Sequence, residues 1–193
     1  MKRKKFLTIL GIASSALLPV KAIIMEKVNP EKYLFKDDGK IPNSKYPLLV
    51  YKSVFSEKGS DGASWLEKHF AKNNWTNSWR NGVYSYHHYH STSHEVLGVY
   101  SGSALLHLGG ERGQKVKVEA GDIIVIPAGV GHKNLESDNL GIVGAYEKGR
   151  NWDINKGEPG ERPNADKNIA AVPFPETDPV TGKTGGLTEI WKK

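Results

Sequence analysis

Four of the chain's seven histidines fall in one stretch, GVYSYHHYHSTSHEVLGVYSG, residues 82–102. On a β-strand alternate side chains share a face, so Tyr84, Tyr86, His88 and His90 point one way while His87 and Tyr89 point the other. Two imidazoles then converge on one spot. A short turn, Ser-Thr-Ser, leads to Glu95, which opens an apolar run, EVLGVY, able to pair with the first strand and bring a carboxylate alongside. Two nitrogens and an oxygen around a point describe a site for a divalent transition metal. The chain has no cysteine, which removes disulfides, thiolate zinc sites, iron–sulfur clusters and cysteine nucleophiles and leaves nitrogen and oxygen as the available ligands.

The elements that must position these residues read as strands. Tyr46 to Val54, YPLLVYKSV, is rich in β-formers. Ser103 to Leu108 forms a strand, Gly109-Gly110-Glu111-Arg112-Gly113 a hairpin loop, and Lys115 to Ala120 alternates, with Val116, Val118 and Ala120 facing a core. Gly121-Asp122 turns the chain into IIVIP and AGVGHKN, and Leu140 to Tyr146 adds another strand. The preceding polar segment, EKVNPEKYLFKDDGKIPNS, carries turn signals at Asp37-Asp38-Gly39 and Pro42-Asn43. One helix is expected, from about Gly62 to Lys72, with Asp61 as N-cap and Trp65, Leu66, His69 and Phe70 on one face. On that face His69 reads as a packed or interfacial histidine. Trp75, Trp79 and the turn Arg80-Asn81-Gly82 lead into the histidine stretch. Many short strands at regular spacing, with glycine turns and little helix, make this an all-β barrel or sandwich.

The 193 residues, 38% of them hydrophobic, suit one globular domain. Residues 1–22, MKRKKFLTILGIASSALLPVKA, combine a basic start, an apolar stretch from Phe6 to Val20 and Val20-Lys21-Ala22 as a cleavage site, the layout of an export signal. The apolar run is short for a membrane-spanning anchor, the alternative reading. Arg3-Lys4-Lys5-Phe6-Leu7 resembles a twin-arginine signal with lysine at its second position, so general secretion and twin-arginine export both stand. Lys2, Arg3, Lys4, Lys5 and Lys21 account for five of the 27 basic residues; the remaining 22 face 21 acids, a mature net charge of +1. That balance does not recommend nucleic acid as a partner, and a cleaved signal leaves no stable membrane association. The protein is therefore expected in the periplasm or secreted, with residues 23–193 as the mature domain.

Two other motifs are weaker. Gly109–Gly113 lacks the Gly-Lys-Ser/Thr of a phosphate loop, and His94-Glu95-Val96-Leu97-Gly98 lacks the second histidine and the helix of a zinc-protease motif. From Trp152 the composition shifts to Gly, Pro, Asn and Lys, with apolar anchors at residues 169–175 and 187–191. This C-terminal arm, residues 152–193, reads as wrapping the barrel or a partner subunit.

The spacing of the histidines resembles the cupin superfamily. Its first motif places glycine five residues before His-x-His, then glutamate, then glycine after six more; Gly82, His88, His90, Glu95 and Gly102 meet it. Gly121, Pro127, Gly129 and His132 meet the second, with Asn134 after a single spacer where the usual asparagine follows three. The segments around GAYEKGRNWDI and the tail resemble small single-domain bacterial cupins, with a motif core over residues 82–146. The resemblance implies a double-stranded β-helix, a jelly-roll barrel with one short N-terminal helix and an extended C-terminal arm. It also implies one divalent transition metal, Fe, Mn, Zn, Ni or Co, held by His88, His90, Glu95 and His132, and a homodimer. His132 follows a proline–glycine turn that would aim it at the barrel interior.

Around that site, Tyr84 and Tyr86 share the ligand face and could line a substrate cavity, or simply fill space with the hydroxyl at a polar edge. His87 is read as an outer-face or subunit-contact residue. His94 is read either as a donor to Glu95 or as a plain loop histidine, and His107 lies on a strand with no partner in view. The leading function is a metal-dependent enzyme on a small molecule, dioxygenase or isomerase-like. The alternatives are an extracytoplasmic protein that binds a metal or small ligand without transforming it, and a partner-binding role through the arm. No catalytic acid or base stands out beyond the ligands.

Overall fold

In the computed structural model residues 29–192 are described; the expected export signal lies outside them. The elements in chain order are β1 (Glu31–Tyr33), β2 (Leu48–Tyr51), α1 (Gly59–Lys72), β3 (Trp75–Asn81), β4 (Glu95–Leu108), β5 (Gln114–Glu119), β6 (Ile123–Ile126), β7 (His132–Glu147), α2 (Asn164–Ala171) and α3 (Leu187–Ile190). The strands pair antiparallel in the order β1-β2-β6-β4-β7-β3, and β5 pairs with β4. This is the jelly roll the sequence led us to expect.

β4 is the strand that makes the curvature. Its first half lies between β6 and β7, and its second half between β5 and β7. The switch falls where the β4–β7 register shifts, between Val99 and Ser103, and bulges of this kind bend a strand and increase its twist. Gly102 sits at the bend with φ 64°, and a Cβ there would stand 2.0 Å from the Asp138 carbonyl oxygen. Only glycine accommodates both the left-handed backbone and that approach.

Two apolar layers result. Inside the roll, Leu48, Val50, Leu97, Val99, Leu106, Leu108, Ile124 and Ile142 form one cluster. On the outer face, Leu49, Val96, Ile123, Val125 and Val143 pack against Leu66 and Phe70 of α1 and against Leu187 and Trp191 of the arm. With both faces covered, β2 and β6 are buried at every position and lack polar alternation. β5, whose outer face meets water, keeps it, with Val116 and Val118 buried and their neighbours exposed. Each fully buried Leu or Phe of these clusters contributes roughly 1.5–3 kcal/mol.

Several expectations need correction. Residues 82–94 form no strand of the sheet: they make only the isolated bridges His88↔His132 and Tyr89↔Asn155. The run from Glu95 pairs with β6 and β7 rather than with that stretch, and it continues through Gly102 as one strand. β1 lies in the segment read as polar loop, because its three residues are too few to show a period. α1 begins at Gly59, with Lys58 at the N-cap position and no side-chain cap; Asp61 lies in the first turn, where its charge still favours the helix dipole. The arm is not extended throughout, since α2 and α3 interrupt it. Among the described residues no helix is long and apolar enough to cross a membrane.

Candidate metal centre

The histidine stretch is laced to the turn before β7 by backbone hydrogen bonds. His88 and His132 exchange both N–H···O bonds, at 3.2 and 2.9 Å, and Gly129 N–H donates to the His90 carbonyl at 2.8 Å. The two motifs are thereby held in register, and the His88 and His132 rings stand 4.0 Å apart between centroids. Alternation survives locally without a strand: His88 and His90 face inward, whereas Tyr89 between them points outward and packs with Ile41 and Ala165. Glu95 opens β4 on the interior face, opposite Tyr146 of β7.

Each imidazole is oriented by a carbonyl. Nδ1 of His88 faces the Tyr86 carbonyl at 3.4 Å, that of His132 faces Val130 at 3.2 Å, and that of His90 bonds to Asp153. A carbonyl can only accept, so Nδ1 carries a proton in each ring and Nε2 is the atom turned toward the site. The ring-nitrogen ligand atoms of His88, His90 and His132 lie within 4.8 Å of one another. Glu95 Oε2 stands 3.4 Å from His90 Nε2 and 3.3 Å from His132 Nε2. All four side chains are buried, and Glu95 Oε2 has no hydrogen-bond partner.

A buried carboxylate oxygen without a partner is costly. Separations of 3.3–3.4 Å are long for a charge-assisted hydrogen bond. They match neighbouring ligand atoms that each lie about 2.1 Å from a common ion, which are roughly 3.0–3.4 Å apart. The three histidines therefore fit a divalent metal, with Glu95 supplying the oxygen beside His90 and His132.

The electrostatics agree. Burial, with His132 and His90 nearby, lowers the His88 imidazole to about 2, so it is neutral with its lone pair available. Burial would raise Glu95, but His90 and His132 outweigh it and hold the carboxyl below the usual range, ionised. Burial lowers His90, yet Glu95 more than offsets this and brings it above the ordinary value in the metal-free site.

The residues that support these ligands left no mark in the spacing. Asp153 opens the arm: its carbonyl orients His90, while its carboxylate accepts from Ser91 N–H at 2.6 Å, Ser91 Oγ at 2.5 Å and Asn155 Nδ2 at 2.8 Å. Burial raises the Asp153 carboxyl, but these donors lower it overall. Tyr146 donates to Glu95 Oε1 at 3.0 Å and accepts from Trp79 Nε1 at 3.0 Å. Trp79 reaches this position because Gly144 lies beneath it, where a Cβ would come within 2.2 Å of the indole. Tyr146→Phe is expected to weaken metal binding by about 10- to 100-fold through the freed Glu95 oxygen, measured by competition with a chelator.

Above the ligands lies a cavity of about 410 Å³, walled by Trp79, Arg80, Tyr84, Leu97, Tyr146 and Trp152. This is within the size range of small-molecule sites. Arg80 at its edge is clamped by Glu67, through Nε–Oε1 at 2.8 Å and Nη2–Oε2 at 2.7 Å. Tyr84 and Tyr86 are 45% and 39% exposed, which puts them at the mouth rather than deep beside the ligands. They stack at 5.0 Å, and Tyr84 sets its ring edge-on to His88. Tyr84 lines the cavity, whereas Tyr86 packs below Lys156.

The other histidines are accounted for. His94 does not reach Glu95; its Nδ1 accepts from Ala128 N–H at 2.9 Å, and its ring packs with Tyr46 and Trp191. Burial keeps it neutral, lowering it to about 3. His69 stacks on Trp65, and its Nε2 bonds the Val180 carbonyl at 2.9 Å, tying α1 to the arm. His87 faces outward toward His107 and Glu111, so His107 does have a partner.

Glu147, next to Tyr146, is buried, and burial raises its carboxyl to about 8, with Arg150 and Lys148 offsetting this only in part. Below the unfolded value near 4.5 both states are protonated; between 4.5 and 8 only the unfolded state releases the proton, so stability falls as pH rises. Glu147→Gln is expected to match the parent near pH 4.5 and to exceed it at pH 9 by on the order of 5 kcal/mol. Thermal melts of both proteins across that range check the sign.

Comparison with known proteins places this architecture. Residues 79–138 match the family described as Cupin domain. The chain is 42% identical over 165 residues to the uncharacterized protein YjlB of Bacillus subtilis (strain 168), covering 84% of this chain and 97% of that protein. Among solved structures it is similar to an acireductone dioxygenase from Bacillus anthracis with a cadmium ion in its active center, at 15% identity and a TM-score of 0.38, over 54% of this chain and 80% of that one. It is likewise similar to the Bacillus subtilis oxalate decarboxylase, studied for its Mn(II) centers, at 18% identity and a TM-score of 0.34, over 60% of this chain and 29% of that one. Similarity at this level does not bear on the reaction. With the jelly roll, the two histidine motifs and a relative matched over nearly its whole length, the chain belongs to the cupin family.

Proposed function

We propose that the protein is a metal-dependent enzyme acting on a small molecule, of dioxygenase or isomerase-like type, with one divalent transition metal held by His88, His90, Glu95 and His132. The observation that carries this reading is the buried, unpartnered Glu95 Oε2 facing the His90 and His132 Nε2 atoms at the floor of a cavity that opens to solvent. A metal bound there would supply Lewis-acid or redox chemistry at the positions its four protein ligands leave open. The chain's own residues prepare that site. Tyr146, itself held by Trp79, orients Glu95, and Asp153 fixes the tautomer of His90. Leu97 and Trp152 give the cavity apolar walls that limit water. Tyr84 supplies a hydroxyl at the mouth, where it can meet a polar group of the substrate.

The test is elemental analysis of protein isolated aerobically and anaerobically from its own host. Iron together with oxygen consumption supports the dioxygenase branch, and manganese or zinc without it the isomerase-like branch. Protein purified without metal that also fails to take up any would overturn the reading.

One observation favours non-catalytic binding as a second reading. Among the cavity-lining side chains, Tyr146 has its proton held by Glu95 and raised well above the usual phenol range, chiefly by burial, so it is a poor base. Metal-loaded protein that retains small molecules from host extract unchanged would select that reading. Export to the periplasm or medium belongs to the same proposal; N-terminal sequencing of the mature protein tests it, with a new terminus after Ala22 expected.

A further inference from the structure

Directly across the wall from the metal centre lies a second set of ligand groups. Alternation along the same backbone produces it: His132 of β7 pairs with Leu108 facing inward, and the next pair, Lys133 with His107, faces outward. His87 precedes inward-facing His88 and joins them. Among the described residues, His87, His107 and Glu111 form one of two groups whose ligand atoms all lie within 4.8 Å of one another.

The His87 side chain is only 9% exposed, and neither ring nitrogen has a hydrogen-bond partner. Its Nε2 stands 3.4 Å from Glu111 Oε1, and its ring centroid lies 4.8 Å from that of His107. His107 is itself buried. A buried imidazole with no partner leaves its polar atoms unsatisfied unless something supplies one. Glu111 is carried by the exposed β4–β5 loop, whose base is fixed where Gly109 N–H donates to the Gly131 carbonyl at 2.6 Å and Asn43 Nδ2 donates to the Gly109 carbonyl at 3.1 Å. The surrounding cations are Lys133, 2.8 Å from Glu111 Oε1, and Lys115, which pairs across from His107.

We propose that His87, His107 and Glu111 form a second, outer-face site for a divalent transition cation of the zinc class, separate from the centre inside the roll. Two imidazoles and one carboxylate suit such an ion, with remaining positions taken by water from the exposed side. Lys133 competes with it for Glu111, which makes the site weaker than the inner one and exchangeable.

The full chain, stripped with a chelator and titrated with Zn²⁺ by calorimetry, tests this. Two equivalents are expected, the weaker binding with Kd below about 10 μM. Glu111→Gln, an exposed loop change that spares the fold, should weaken that step about 100-fold and leave the tighter one unchanged. Lys133→Met should tighten it. His90→Ala, which breaks the inner site, should retain it. One equivalent that His90→Ala abolishes and Glu111→Gln leaves intact would overturn the proposal. So would a second step unmoved by Glu111→Gln. One equivalent lost in Glu111→Gln and kept in His90→Ala would support the outer site while contradicting the inner one, so the two readings fail separately.

Discussion

Replacing His132 by alanine should reduce the metal bound at the inner site from about one equivalent to less than a tenth of that, with the barrel still folded. His132 is the ligand delivered by the second motif, and beyond the four ligands the polar side chains lining the cavity are Asn77, Ser78, Arg80, Asn81, Tyr84 and Tyr146, none of which offers an imidazole or a carboxylate in its place. Its loss also removes one of the two imidazoles that help hold Glu95 ionised, leaving His90 and the Tyr146 hydroxyl beside that carboxylate. Burial then presses harder on Glu95, since holding a carboxylate charge inside a protein costs several kcal/mol that fewer neighbours now offset. The variant should therefore titrate Glu95 at higher pH than the parent does. The fold should persist, because the bridge between His88 and His132 uses backbone groups that alanine retains. Circular dichroism together with metal analysis by mass spectrometry checks both halves. Full metal occupancy in a folded His132→Ala protein would contradict the ligand assignment.

The second large effect is expected at Asp153, which holds no metal. In Asp153→Ala the Ser91 N–H and hydroxyl lose their acceptor, and Ser91 is fully buried. Each buried donor left unsatisfied costs about 1–3 kcal/mol, so a loss of roughly 3 kcal/mol in stability is expected. The His90 carbonyl partner belongs to residue 153's backbone and survives the substitution, but the segment presenting it is no longer anchored. Metal affinity should fall about 10- to 100-fold in consequence, as it does when groups that orient ligands are removed. Asp153→Asn should lie between, since one carboxamide oxygen can still accept from Ser91 while the amide cannot. Urea melts give the first quantity and chelator competition the second. A variant with parental stability and unchanged affinity would show that the arm does not position the site.

These two residues mark what was and was not legible in the sequence. His88, His90 and Glu95 stood out by strand alternation in one stretch, and His132 joined them through the resemblance of the two blocks to the cupin motifs. β5 was readable because one of its faces is wet. Asp153, Tyr146 and Trp79 act through the approach of segments distant in sequence, and they sit in surroundings with no telling pattern. Asp153 lies in an aperiodic arm, and Tyr146 in a strand buried on both faces, where apolar residues run without alternation. His94 was open to misreading for the opposite reason: its place beside Glu95 in sequence suggested a shared role, whereas neighbours at the start of a strand point to opposite faces. The extended geometry assumed for residues 84–90 placed His88 and His90 together correctly, although isolated bridges rather than a ladder maintain it. The outer group of His87, His107 and Glu111 joins the histidine stretch, β4 and the β4–β5 loop, and only their register in space brings it together.

Crystals grown with Zn²⁺ or Co²⁺ and measured at the metal's absorption edge test most directly for one ion inside the roll. The expected result is an anomalous peak within about 2.0–2.2 Å of the Nε2 atoms of His88, His90 and His132 and of Glu95 Oε2, beneath the cavity walled by Trp79 and Trp152. An anomalous map without a peak there, with Glu95 instead bonded directly to a protonated histidine, would contradict it.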